Sequence, residues 1–188
     1  MFDVDDLIAQ CRAAIAEGEA HRAVREVLER TMADADHVAD AMRPREGGLN
    51  VLYSTPDLTV LHVVWAPGMV LYPHDHLMWA AIGIYAGQED NTFYRRRPDE
   101  PGTVTSSGGK ELRTGDVLLL GKDAIHGVAN PLDRVTGAIH VYGGDFVNQP
   151  RSQWPPDAYE EQAYDMGQVR EEFARANSAL RRNDVTLQ

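Results

Sequence analysis

His74 and His76, separated by one residue, and His126 some fifty residues further along are of a type and spacing that can gather one divalent metal ion. In an extended chain residues i and i+2 point the same way and stand about 6.5 Å apart, and imidazole nitrogens bind metals at about 2.0–2.1 Å, so both rings can reach one ion. On a helix the same convergence needs i and i+4. Pro73 just before the pair, and the Val, Ile, Leu, Tyr and Trp around it, favour a strand. Cys11 is the only cysteine, which excludes an intrachain disulfide and a thiolate cluster. Any metal must therefore bind through nitrogen or oxygen.

The elements that would position these rings follow from the patterning. With 188 residues, 43 % of them hydrophobic, the chain reads as a single domain spanning 1–188. Val4, Leu7, Ile8, Cys11 and Ile15 form one helical stripe, and after Gly18 a second runs through Val24, Val27, Leu28, Thr31, Ala35, Val38 and Met42. This predicts a helical N-terminal part over 1–46, with Cys11 a small core residue. From 47 to 150 short apolar segments are cut by turn residues such as Thr55-Pro56-Asp57, Ala66-Pro67-Gly68 and Asn130-Pro131. About eight to ten strands at that spacing imply a sandwich or barrel. Beyond Pro155-Pro156-Asp157 a helical period returns through Val169, Phe173, Ala176 and Leu180, giving a C-terminal helical segment over 151–188.

A formal charge of −11 argues against a nucleic-acid partner and against an anionic membrane surface, leaving a small molecule as the expected ligand. The start, Met-Phe-Asp-Val-Asp-Asp, is acidic where a signal peptide is basic, and no apolar run approaches the roughly 18 residues of a membrane span. The expected location is the cytoplasm, as a monomer or a homodimer.

Two segments together resemble the paired signatures of the cupin superfamily. The first, Gly, five residues, His-x-His, an acidic residue and a later Gly, is matched by Gly68, His74, His76 and Gly87. The second is matched by Gly115, His126 and Asn130, with Gly121 and Asp123 replacing the Pro and Gly of its turn. The resemblance implies a mainly β fold: a cupin-type double-stranded β-helix, or jelly-roll, barrel with flanking N- and C-terminal α-helices. It also implies that His74, His76 and His126 are the metal ligands. The acidic slot holds Ala80, which strand parity places on the face of the histidines, so open space is expected beside the metal. An ion held by three neutral imidazoles keeps its full charge and favours anionic ligands such as thiolates, enolates or carboxylates.

Within the cupins, three-histidine sites resemble the cysteine dioxygenase-like branch, the thiol dioxygenases. Family members carry Ser-x-His-x-Tyr on a late strand; here Ala138-Ile139-His140-Val141-Tyr142 matches the His and Tyr, and the Trp65-Ala66-Pro67-Gly68 run is similar too. The resemblance implies Fe(II) as cofactor, O2 as co-substrate, a thiolate oxidised to a sulfinate, and His140 with Tyr142 as the catalytic pair. Cysteine dioxygenase anchors its substrate carboxylate with an early-strand arginine, and the comparable stretch here offers Tyr53 instead. Arg96, or alternatively Arg95 and Arg97, is a second candidate anchor; otherwise these arginines form a solvated strand end lying over apolar surface. No cysteine adjoins Ala81 to cross-link with Tyr142. Imidazole ligation equally suits Zn or Ni, and Mn too stays open, so a non-redox isomerase or hydrolase, or a binding module without turnover, remains an alternative. His62 reads as a hydrogen-bonded barrel residue, His21 and His37 as surface residues, and the region of Trp154 or Tyr159 as the natural place for a lid.

Overall fold

The computed structural model describes residues 2–16, 18–156 and 160–186. Among the described residues eight strands form the barrel: β2 (Thr59–Trp65), β3 (Val70–Asp75), β4 (Ala80–Ala86), β5 (Gln88–Arg96), β6 (Val104–Arg113), β7 (Val117–Leu120), β8 (Ile125–Ala129) and β9 (Thr136–Tyr142). One sheet runs β1-β2-β9-β4-β7, where β1 is Gly48–Ser54. The other runs β11-β10-β3-β8-β5-β6, where β10 is Ser152–Gln153 and β11 is Gln162–Ala163. All pairings within the two sheets are antiparallel, and β2·β9 with β4·β7 in one sheet answer β3·β8 with β5·β6 in the other. That is the strand order of a jelly roll, the double-stranded β-helix of the expected class.

The first sheet is covered on both faces, which explains why β2, β4 and β9 read as nearly unbroken apolar runs. Alternate residues Leu61, Val63, Trp65, Ile82, Ile84 and Ala138 fill the barrel, while Val60, Ala81, Tyr85, Ile139 and Val141 face the opposite way. Onto that outer face pack α1 (Val4–Ala14), α2 (Ala20–Met32) and α3 (Ala35–Met42), through Leu7, Cys11, Val24, Leu28, Met32 and Val38. Each such side chain removed from water contributes about 1.5–3 kcal/mol. The approach is close: a Cβ on Gly83 of β4 would stand 2.9 Å from Met32 Cγ.

Two segments differ from expectation. The helical stripe after Gly18 belongs to two helices, α2 and α3, which part at Ala33–Asp34. Both stripes face one sheet, so the apolar period carries across the break and conceals it. The C-terminal segment is helical only from Met166, in α4 (Met166–Thr186). Before it the chain runs extended along the β3 edge, with Gln153 paired to His74 and the Trp154 N–H donating to Pro73 O at 2.8 Å. Among the described residues no helix is long and apolar enough to cross a membrane.

Candidate metal centre

The two sheets bring the three histidines together inside the barrel. His74 on β3 lies directly opposite His126 on β8, so both rings leave the sheet on one face. His76 stands just past the end of β3, before Leu77 turns the chain through a left-handed conformation (φ 55°) towards the first sheet. One ligand atom from each ring lies within 4.8 Å of the others, and His76 Nε2 is 3.3 Å from His126 Nε2. Bonds of about 2.0–2.1 Å to a tetrahedral ion place neighbouring nitrogens about 3.3–3.4 Å apart, so this group could hold a metal. All three rings are buried, with exposures of 5 %, 2 % and 1 %.

Burial also decides their charge. It lowers His74 to about 4, helped by the positive Arg151 nearby, although a hydrogen bond to the Tyr72 carbonyl opposes the shift. His76 and His126 are pushed well below the ordinary histidine value by burial first and by the neighbouring imidazoles second. At neutral pH the rings are therefore uncharged and offer lone pairs.

Which nitrogen carries the proton follows from the neighbours. His74 Nδ1 donates to Tyr72 O at 3.1 Å, leaving Nε2 for a metal. For His126 the decision starts at Glu89, a carboxylate with no exposed surface. Burial works to raise its pKa, but the adjacent His140 imidazole and the hydrogen bonds from Asn91 and Trp65 outweigh that and lower it. An ionised carboxylate only accepts, so Asn91 must aim its Nδ2 at Glu89 Oε1, 3.0 Å away. Asn91 Oδ1 then faces His126 Nδ1 at 2.6 Å, which fixes the proton on Nδ1 and the lone pair on Nε2.

The same carboxylate serves the other candidate pair. Glu89 Oε2 accepts from Trp65 Nε1 at 2.6 Å and stands 3.4 Å from His140 Nε2, which makes no aligned hydrogen bond. His140 Nδ1 is 3.0 Å from the Tyr142 hydroxyl. The Tyr142 ring meets His76 edge-on with centroids 5.0 Å apart. Burial raises the phenol far above its ordinary value, so it stays protonated and can donate. Glu89 thus sets the lone pair of a candidate metal ligand through Asn91 and lies beside the His140–Tyr142 pair.

Arg151 is a further candidate residue that sequence reading misses. Its guanidinium, 7 % exposed, lies between Phe146 and Tyr164, with Cζ 4.1 Å and 3.9 Å from the two ring centroids. Nη1 donates to Phe146 O at 2.7 Å, whereas Nε and Nη2 have no hydrogen-bond partner among the described residues. A buried cation with two unpaired nitrogens, packed on two rings that line the histidine pocket, is equipped to receive an anion. Glu89 and Asn91 had a faint signal, two polar residues of one parity that prove buried on an otherwise half-exposed β5. Arg151 had none, since it follows the barrel.

Both anchors expected from the sequence point elsewhere. Tyr53 pairs with Val60, because a bulge between Val51 and Tyr53 reverses its face, and it packs towards the helices with Arg12 5.9 Å from its ring centroid. Arg96 lies at the surface, half exposed, over the Trp154 ring at 4.9 Å, bonded to Glu161 and 3.6 Å from Asp75. Arg95 is exposed, and Arg97 pairs with Asp99 and Glu100. Asp75 is buried facing the C-terminal segment, accepting from Ser152 N at 2.8 Å. Ala80 does reach the barrel core, but on the opposite sheet from His74 and across from Tyr142, so parity along one strand does not apply. The expected open space is reduced to a cavity of about 20 Å³, lined by residues such as Trp65, Tyr142, Phe146 and Tyr164 and not by Ala80. Trp154 is buried against Val104 and Ile125 rather than over the rings, and Tyr159 lies outside the described residues. His62 bonds the Tyr85 hydroxyl at 2.6 Å on the helix-covered face; His37 is exposed and His21 half-buried.

A scan against protein-family models finds no match. Among solved structures the chain is similar to an RmlC-like cupin with a double-stranded β-helix fold from Methanocaldococcus jannaschii, at 12 % identity and TM-score 0.44, covering 53 % of this chain and 81 % of that one. A protein from Bacillus halodurans aligns at 13 % identity and TM-score 0.49, covering 71 % and 89 %. A protein from Klebsiella pneumoniae with a double-stranded β-helix domain aligns at 20 % identity and TM-score 0.45, covering 62 % and 87 %. The strand order, rather than these likenesses, establishes the barrel.

Proposed function

We propose that this chain is a mononuclear non-haem iron dioxygenase that oxidises a small anionic, thiol-type substrate with O2. The observation that carries the reading is the donor set: three buried neutral imidazoles, with a buried, half-unpaired arginine close by. His74, His76 and His126 would hold Fe(II), which when bound supplies a redox-active Lewis acid that accepts both the anion and O2. The protein's own contributions are positional and electrostatic. Arg151, through Nε and Nη2, would bind the substrate carboxylate and orient it. Tyr142, kept protonated by burial, would donate a hydrogen bond to developing negative charge while its oxygen accepts from His140 Nδ1–H, which would hold the hydroxyl in place. Phe146, Tyr164, Trp65 and Leu49 exclude bulk water. The overall change balances as a thiolate plus O2 giving a sulfinate, with both oxygen atoms on sulfur.

Oxygen uptake by protein reconstituted anaerobically with Fe(II), screened against thiols, thiol acids and diketones, tests this reading. Uptake with a thiol acid is expected, and Arg151→Met should raise its KM about 10- to 100-fold, as for a lost charge-assisted hydrogen bond of about 1.5–3 kcal/mol. No uptake with any candidate would overturn the dioxygenase. Turnover without oxygen by the Zn, Ni or Mn form would replace it with a non-redox enzyme.

A further inference from the structure

The pocket at the histidines, about 20 Å³, has room for about one water, so nothing larger reaches the rings until a wall moves. Two of its walls, Leu49 and Phe146, also line a second and far larger cleft of about 500 Å³ between β1, residues 143–150 and α4. That volume lies within the roughly 300–1,000 Å³ of small-molecule sites. Its surface is largely apolar, with Val51, Leu61, Met166 and Phe173 beside the two shared residues. Among the described residues Arg170 is the only charged one in the lining, and it makes no ion pair with any of them, so a cationic ligand is disfavoured.

Leu49 is fixed in β1 opposite Val63. The Phe146 backbone is fixed as well, since its N–H donates to Thr59 Oγ1 at 3.1 Å and its carbonyl accepts from Arg151. Its ring has no such tether. It rests on Tyr142, 4.2 Å between centroids, and covers one side of Arg151. Rotation of that one side chain would join cleft to pocket and uncover the arginine.

We infer that the cleft holds the apolar tail of the site's ligand, an anion carrying an alkyl or aryl chain, with its head at Arg151 and the histidines and Phe146 as the gate between. The assignment of the head rests on the function proposed above. Shared walls, apolar lining and the absence of acidic groups among its described residues select this occupant.

Straight-chain carboxylates from acetate to decanoate, titrated calorimetrically onto the full-length chain with and without metal, test it. Affinity should rise about fourfold per added methylene until the cleft is filled, the equivalent of about 0.8 kcal/mol each. Ala174→Trp on the exposed side of α4, or Val51→Trp from the opposite wall, places an indole in the cleft and should flatten the series while leaving acetate binding unchanged. Phe146→Ala should speed association of octanoate in stopped flow. Equal affinity for acetate, hexanoate and decanoate would overturn the inference, as would a chain-length gain that survives both tryptophan variants. A flat series beside oxygen uptake with short thiols would defeat the tail site alone; a steep series without any uptake would defeat the dioxygenase alone.

Discussion

Glu89→Gln changes one buried oxygen into an NH2 without changing shape, and the structure determines what must follow. Glu89 accepts from Trp65 and Asn91, both donors aimed at it, and stands 3.4 Å from His140 Nε2. A glutamine leaves one oxygen for two directions. If the NH2 faces Trp65, a buried N–H loses its acceptor at a cost of about 1–3 kcal/mol. If it faces Asn91, that amide must turn over and present Nδ2 to His126 Nδ1, which forces the His126 proton onto Nε2 and removes a metal lone pair. Changes to groups that orient a metal ligand typically lower affinity about 10- to 100-fold, or about 1.4–2.7 kcal/mol. Chelator competition on wild type and Glu89→Gln measures the affinity, and urea unfolding measures the stability. Trp65→Phe is the control, since it removes one donor and leaves Asn91 undisturbed. Metal affinity of Glu89→Gln within twofold of wild type, at unchanged stability, would refute the assigned tautomer relay.

Further outcomes follow from the same geometry. His140→Ala and Tyr142→Phe should lower turnover by about 100-fold or more while metal per chain, by elemental analysis, stays at the wild-type level; parallel loss of metal would contradict their separate role. Metal-free protein should lose stability on acidification, because burial holds the folded-state value of His74 at about 4, below the unfolded value of about 6.5. Its contribution is complete above pH 6.5 and is lost as pH falls towards 4, for His74 alone about 3 kcal/mol. Urea midpoints at pH 7 and pH 5 check this, and equal midpoints would contradict it. Cys11 is fully buried, with its thiol pushed up to about 12, so a disulfide reagent at pH 8 should leave the native chain unmodified and take up one equivalent after unfolding.

The barrel was legible because its physics is local: turn residues mark the strand ends, and alternation on β9 puts Ala138 and Tyr142 inward while Ile139 and Val141 meet the helices. The convergence of the candidate metal-binding histidines was legible for the same reason, since one-residue spacing near a strand end keeps His74 and His76 together. What failed depended on departures from regular alternation or on contacts distant in sequence. A single bulge sends Tyr53 to the wrong side of β1. Arg96 is claimed by Glu161, Asp75 and Trp154, two of them in a C-terminal segment read as helical. Arg151 becomes a buried cation only because Phe146 and Tyr164 close around it, and the Glu89–Asn91 relay exists only once β5 lies beside β8. Burial of a polar residue is a tertiary property, and strand patterning alone does not announce it.

His74, His76 and His126 are proposed to bind one transition-metal ion through uncharged nitrogens. X-ray absorption on protein loaded with Fe(II) under anoxia, with the metal counted per chain, tests it most directly. The expected result is one iron per chain with three imidazole nitrogens in its coordination shell, lost when any one of the three histidines becomes alanine. Protein that retains no stoichiometric metal, or whose iron survives all three substitutions, would contradict it.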